Sequence, residues 1–278
     1  MTLDHEIQAD IKTGQVIENK EVVKDYFVLS ILLHSSKCNA RPGQFAMIRK
    51  QNVTDPLLSR PLGLYSVHQT EAGAVVEFLY HVVGKGTIAM SRLVVGDRVT
   101  ILAPLGNPFD LHFESRSHIV LVAGGIGLAP LTYIADYLSE TMVANIKLTL
   151  YMGASTAPAL VGVKRMERFC SDIKIATDDG SVGFKGTITD LFQRDLPAMD
   201  HKNMAIFACG PSAMARQLAR LIASYDIPCH ISMEERMACG IGSCLGCAIK
   251  IRTPDNSWVY RRVCKDGPVF DIRDIVWD

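Results

Sequence analysis

The hydrophobic period of this chain changes near residue 110, and the change limits the folds open to it. Before it come short β-rich runs: YFVLSILL (26–33), GQFAMIR (43–49), LGLYSV (62–67), AVVEFLYHVV (74–83) and DRVTIL (97–102). Turn residues separate them at Arg41-Pro42-Gly43, Glu71-Ala72-Gly73 and Val95-Gly96-Asp97. Short strands at this spacing, with almost no helical periodicity, predict an antiparallel β-barrel or sandwich. After it, continuous apolar runs alternate with amphipathic stretches. HIVLVA (118–123) leads through glycines into a helical face of Leu128, Leu131, Ile134 and Leu138. IKLTLYMG (146–153) leads into Leu160, Val163, Met166 and Phe169. DIKIAT (172–177) and MAIFAC (204–209) add strands, the second followed by Met214, Leu218, Leu221 and Ile222 at helical spacing. Such alternation predicts an α/β domain with a doubly wound parallel sheet.

The last fifty residues have too little apolar mass for a core of their own. They contain EERMACGIGSCLGCAIK (234–250), and Cys239, Cys244, Cys247 and Cys264 are spaced C-x4-C-x2-C-x16-C. A disulfide framework would suit a shorter chain denser in cysteine. Structural zinc uses paired C-x2-4-C knuckles, and Cys264 has no second ligand beside it. The spacing is that of a plant-type [2Fe–2S] cluster. Gly240, Gly242 and Gly246 fit it, because bare backbone N–H groups can approach the sulfurs. Cys38, Cys170 and Cys229 lack partners at ligand spacing and read as small buried hydrophobes. Three regions follow: a barrel (1–110), a nucleotide-type α/β domain (111–228) and a small C-terminal iron–sulfur module (229–278).

Lys plus Arg number 29 and Asp plus Glu 29, so no net field recruits nucleic acid or an anionic membrane. The start, MTLDHEIQADIK, has no apolar leader core. Residues 119–135 carry no charge, but Gly124, Gly125, Gly127 and Pro130 interrupt them, so they read as strand, turn and helix start rather than a span. The expectation is a soluble, cytoplasmic protein.

Two glycine turns follow apolar strands. VAGGIGLAPL (122–131) sets Gly124, Gly125 and Gly127 before a helix, and ACGPSAM (208–214) sets Cys209, Gly210 and Pro211 before another. Glycine permits tight turning and close approach, and a helix N-terminus offers free N–H groups to an anion. The first turn departs from G-x-G-x-x-G, and each alone reads equally well as a tight turn. In the barrel, Arg60 could grip a phosphate with its planar fork, and Gly86-Thr87 opens a short helix. A surface arginine and a helix cap are the plain alternatives.

Together these segments resemble the ferredoxin–NADP reductase superfamily over roughly residues 11–225. The resemblance implies that Arg60, Pro61, Leu62 and Gly63 line a flavin, with Leu79, Tyr80 and His81 on the next strand. It implies Gly86 and Thr87 at the pyrophosphate. Gly124, Gly125, Gly127, Pro130, Cys209, Gly210 and Pro211 would meet the nicotinamide nucleotide. Two residues depart from the pattern: Gly63 replaces the hydroxyl residue near the flavin's reactive nitrogen, unless Ser66 takes that part, and His81 stands where relatives with this tail often carry arginine.

The cysteine segment and RRVCKDGPVFD (261–271) extend the resemblance to the electron-transfer subunits of NAD-linked dihydroorotate dehydrogenases. That implies FAD, a [2Fe–2S] cluster and NAD(H) in this chain, in pyrimidine biosynthesis. It also implies a separate FMN-containing catalytic subunit, assembled two plus two. Flavin joins hydride to single-electron chemistry, so no residue is expected as nucleophile or general base. YMGASTAP (151–158) has no arginine to clamp a 2′-phosphate, which favours NAD, and Asp178-Asp179 reads as a polar turn. Two other functions fit the residues: a subunit of the same build serving a hydrogenase, sulfide dehydrogenase or bifurcating transhydrogenase, and a zinc-stabilised, non-enzymatic binding module.

Overall fold

A computed structural model of the chain describes residues 9–111, 116–141 and 146–277. The first eight residues of the polar N-terminus lie outside that description. The first sheet is built from β1 (Asp10–Val23), β2 (Tyr26–His34), β3 (Phe45–Lys50), β4 (Arg60–Gly63), β5 (Ser66–Thr70) and β6 (Gly73–His81). After helix α1 (Lys85–Ser91), β7 (Arg98–Leu105) completes it in the order β4-β3-β7-β1-β2-β6-β5. The pairings are antiparallel. The two edge strands are consecutive in the chain. At their junction Leu64 N donates to Gln44 O on one side and Tyr65 N to Glu77 O on the other. The LGLYSV run is therefore two strands with a corner between them, and that corner curls the sheet on itself.

The second unit holds β8 (His118–Gly124), α2 (Leu128–Glu140), β9 (Lys147–Ala154), α3 (Val163–Met166), β10 (Asp172–Thr177) and β11 (Phe184–Lys185). Next come α4 (Ile188–Asp195), β12 (Met204–Cys209), α5 (Ser212–Ile222) and β13 (Cys229–Ser232). The hairpin β14 (Ala248–Arg252) and β15 (Trp258–Arg262) stands apart, and β16 (Val269–Asp271) returns to the sheet. Strand order is β11-β10-β9-β8-β12-β13-β16, parallel except for β16. Both β13 and β16 fall after residue 228, so the nucleotide sheet draws on the segment read above as iron–sulfur module. The helix expected around Leu160–Phe169 is only the single turn α3, because Pro158 and a left-handed Gly162 (φ 85°) interrupt the stretch.

Helices flank the parallel sheet, so its strands are apolar on both faces. Along β8, Val120 and Val122 join one core while Ile119 and Leu121 join the opposite one with Leu128, Leu131 and Ile134 of α2. This double burial explains the charge-free stretch; none of the described helices is long and apolar enough to cross a membrane. Helix α2 also serves the barrel: Tyr133 packs into the barrel core and its Oη donates to Ala40 O at 2.7 Å. A further core runs unbroken from Phe45, Met47 and Leu105 of the barrel through Val120 and Ile206 to Cys247, Val263 and Cys264. The three regions are thus packed as one body.

Tyr133→Phe keeps the ring but leaves the buried Ala40 carbonyl without its donor. The expected loss is about 1–3 kcal/mol in urea unfolding of the holoprotein, with the barrel and nucleotide units no longer unfolding together.

Candidate functional site

Where barrel, nucleotide sheet and tail converge lies a cleft of about 420 Å³, a size suited to a cofactor ring system. One wall is barrel: Pro61, Leu62 and Gly63 of β4, Leu79, Tyr80 and His81 of β6, and Thr87 of α1. The facing wall is Ile126, Ala129, Pro130 and Cys209 from the glycine turns. A floor comes from Ser232, Met233, Glu234 and Met237. The space beside Gly63 is open, since a Cβ there would meet nothing nearer than Pro130 Cδ at 3.8 Å. His81 does not reach out as a long cation would; its ring stacks on Tyr26 with centroids 4.2 Å apart and 2° between planes.

Arg60 and Gly86 lie behind this wall, in a smaller adjoining cavity. A Cβ on Gly86 would fall 1.7 Å from Arg60 Nε, so the missing side chain is what lets the guanidinium lie against the start of α1. Arg60 is held there by donating through Nη1 to Leu58 O and Ser59 O. The Thr87 hydroxyl is occupied, accepting from the amides of Val83 and Gly84. What this corner offers a diphosphate is therefore a positioned guanidinium and backbone N–H groups. The residues fit a flavin nucleotide: an apolar cleft for the rings, with a guanidinium in the adjoining cavity.

Gly124, Gly127, Gly210 and Pro211 are not in the cleft but beneath it, where the two turns interlock. A Cβ on Gly127 would stand 2.2 Å from Cys209 O, and one on Gly124 2.8 Å from Pro211 Cδ. Gly125 is left-handed (φ 54°) with open space around its Cα. These turns mark the point where the strand order reverses between β8 and β12, the place where open α/β sheets bind ligands. Burial pushes the Cys209 thiol well up, reinforced by Glu234. Glu234 is exposed at the mouth of the cleft, and the protein on its inner side raises its carboxyl by desolvation. Ser232, Glu234 and Met237 were not singled out from sequence; their signal was position, at or just beyond the carboxyl end of β13.

The cysteine loop packs behind the barrel wall. Cys247 and Cys264 are buried, Cys239 is half-buried and Cys244 exposed. No three of the described His, Cys, Asp and Glu side chains converge as a single ion would need. The sulfurs stand instead as neighbouring pairs, Cys239 with Cys244 and Cys247 with Cys264. Gly242 N donates to Cys264 Sγ at 3.1 Å, and Cys264 N to Cys247 Sγ at 3.4 Å. Desolvation opposes ionisation of Cys239, but hydrogen bonds from Ile241, Cys244 and Ser243 outweigh it and bring the thiol to about 6. Two sulfur pairs with backbone donors aimed at them suit a two-iron cluster with four thiolates. Gly240 (φ 72°) and Gly242 (φ 82°) make the loop's tight path possible.

Residues 234–276 match the iron–sulfur cluster binding domain of dihydroorotate dehydrogenase B, and residues 121–220 the oxidoreductase NAD-binding domain. A dihydroorotate dehydrogenase B (NAD(+)) electron transfer subunit from Desulforamulus reducens is 39% identical over 242 residues, covering 86% of this chain and 88% of that one. The chain belongs to that family. The member from Clostridium acetobutylicum is 37% identical, over 92% of this chain and 93% of its own. An NADH-dependent reduced ferredoxin–NADP oxidoreductase, solved for its flavin-based electron bifurcation, superposes with a TM-score of 0.80 at 27% identity, over 95% of this chain and 90% of that one. A ferredoxin NADP+ reductase from Neisseria gonorrhoeae with bound FAD and NADP shares the fold, at a TM-score of 0.68 and 14% identity, over 79% and 93%. Membership in the family makes the chain an oxidoreductase electron transfer subunit, with an iron–sulfur cluster binding domain and an NAD-binding domain.

Gly86→Ala should push Arg60 off the start of α1. The purified protein is expected to hold flavin about tenfold less tightly, or ~1.4 kcal/mol, measured by flavin released on dilution. Cys264→Ser removes a buried sulfur and the acceptor for Gly242 N. Iron per chain should fall below half of wild type while flavin per chain and NADH-to-dye activity stay near it.

Proposed function

We propose that this chain carries electrons between NAD and a separate FMN-containing catalytic subunit that oxidises dihydroorotate, in cytoplasmic pyrimidine synthesis. The supporting observation is the way one strand serves both cofactor places. Phe45 of β3 lines the cleft, and Met47, two residues along, meets the cysteine loop, where a Cβ on Gly240 would stand 2.5 Å from Met47 Cγ. Two residues of strand span about 7 Å, so flavin slot and sulfur pairs are near neighbours across a packed core. A bound FAD exchanges hydride with nicotinamide and single electrons with an iron–sulfur cluster, which is why the flavin slot belongs between the two.

The residues named as the site divide the work. Arg60 and the N–H groups at Gly86 and Thr87 take the diphosphate. Pro61, Leu62, Gly63, Leu79 and Tyr80 hold the ring system flat, and the chain from Gly124 to Pro130 with Cys209 to Pro211 presents the nicotinamide from the facing side. Cys209 on the facing wall and Glu234 on the floor are both shifted toward their neutral forms, so this end of the cleft disfavours negative charge. Cys239, Cys244, Cys247 and Cys264 hold the cluster.

Around the cysteines the surface is apolar: Ile241 is 52% exposed, Leu245 64% and, on the adjoining hairpin, Tyr260 62%. Leu245 even holds a left-handed φ of 58°, a costly conformation for its side chain. Apolar exposure of this kind marks an interface, and we assign it to the catalytic subunit, in a two-plus-two assembly. The likeness to a bifurcating oxidoreductase keeps one other partner class in play, but 39% identity against 27% favours the dihydroorotate enzyme.

Co-purification from the native host tests the partner: an FMN-bearing dihydroorotate oxidase at equal stoichiometry is expected, and a different flavoprotein would sink the assignment. Leu245→Asp, tolerated by the left-handed backbone, should weaken that association by about 2 kcal/mol in a pull-down titration, while iron and flavin contents stay at wild type.

A further inference from the structure

Behind the cleft, and touching none of the cofactor places, lies a charged cluster centred on Arg165. Its Nη1 donates to Glu77 Oε2 at 3.1 Å and its Nη2 to Asp136 Oδ2 at 2.6 Å. Its Cζ stands 4.4 Å over the ring of Tyr65. The three side chains are largely buried, with 23% of Arg165, 20% of Glu77 and 11% of Asp136 exposed. Each contact comes from a different segment that also lines the cleft. Tyr65 closes the corner after Pro61–Gly63 of β4, and Glu77 precedes Leu79 by two residues on β6. Asp136 lies along α2 from Ala129 and Pro130.

Arg165 itself belongs to the nucleotide unit, so the bond to Glu77 crosses between units. The cross-link is braced on the barrel side: Ser66 Oγ donates to Glu77 Oε2 at 2.6 Å, and Ser30 Oγ to Glu77 Oε1 at 3.3 Å. Ser66 also bonds His68, whose ring lies 4.0 Å from Glu140 at the far end of α2. Two carboxylates this close and this buried are tolerable only with the guanidinium between them. The planar fork fixes direction as well as distance, which a lysine would not. Desolvation would raise the Glu77 carboxyl, but Ser66 and Arg165 together hold it below its usual range.

We propose that Arg165 is a positioning residue for hydride exchange: through Glu77, Asp136 and Tyr65 it sets the separation between the flavin wall and the nicotinamide wall. The inference rests on the FAD and NAD reading given above. Hydride transfer needs the reacting atoms within near-attack distance, and a wall displaced by about 1 Å costs on the order of 100-fold in rate. A residue outside the cleft therefore has leverage on the chemistry without contacting either ring.

The test is anaerobic stopped-flow of the FAD-loaded protein with saturating NADH, comparing wild type, Arg165→Met and Glu77→Gln. Bleaching of wild-type flavin by NADH checks the underlying reading; the role of Arg165 is judged only by the variants relative to it. Arg165→Met should slow hydride transfer about 10- to 100-fold with flavin per chain unchanged. Glu77→Gln keeps the Arg165–Asp136 pair but weakens the link across units, and should slow it by about threefold or more. In both variants the charge-transfer absorbance formed on mixing should be diminished, a readout that a loss of global stability would not move. Rates within about twofold of wild type in both variants, or a loss of rate that tracks a loss of flavin, would overturn the proposal. If Arg165→Met does not accumulate as folded protein, Glu77→Gln decides the outcome by the same criteria.

Discussion

At the switch point of the parallel sheet two turns meet backbone against backbone, and the rest of the molecule is arranged around that contact. With any side chain at Gly127, the Cys209 carbonyl would be struck at 2.2 Å; with one at Gly210, Gly124 would be struck at 3.0 Å. No rotamer relieves a collision with main chain, so only glycine brings β8 and β12 together with both helices starting at once. That closeness aims Ile126, Pro130 and Cys209 at one cleft and sends α2 off in a direction that buries it on two sides. The sheet packs against one side of α2 and the barrel, through Tyr133, against the other.

From there the three regions cease to be separable. The apolar cluster joining Phe45 and Met47 to Val120 and then to Cys264 has no gap at which a linker could flex. A redox chain gains from this: the distances between carriers are set by side-chain packing, which is dense and stiff, rather than by tethered diffusion. The charged cross-link at Arg165 acts in the same sense on the far side of the cleft, with direction supplied by hydrogen bonds instead of shape.

How much of this the residues announce depends on range. The barrel, the doubly wound sheet and the cysteine spacing are local patterns, and each was legible. Strand β1 was not: of its fourteen residues only Val16 and Gly14 are buried, and the strand exists because β2 and β7 pair with it on both sides. Helix α4 carried a capping box, Thr187 with Asp190, that its short apolar run made easy to pass over. The Pro158 and Gly162 breaks could have been weighed against the Leu160–Phe169 periodicity. The Arg165 cluster lay beyond any such reading, because its partners are 88 and 29 residues away and only the packed fold brings them together. The same holds for Glu234, whose neighbours in the cleft come from three regions.

The return of the tail to the sheet has a cost and a benefit outside catalysis. Strand β13 is short and mostly buried, and left uncovered it would be a sheet edge on which a second chain can add. β16 covers it, with Val269 opposite Ser232 and Asp271 opposite His230. β16 begins five residues after Cys264, so the strand that covers this edge is anchored next to the cysteine loop. The cysteine loop and the cover of the sheet edge are thus one continuous stretch of chain, and a change in the first is felt by the second.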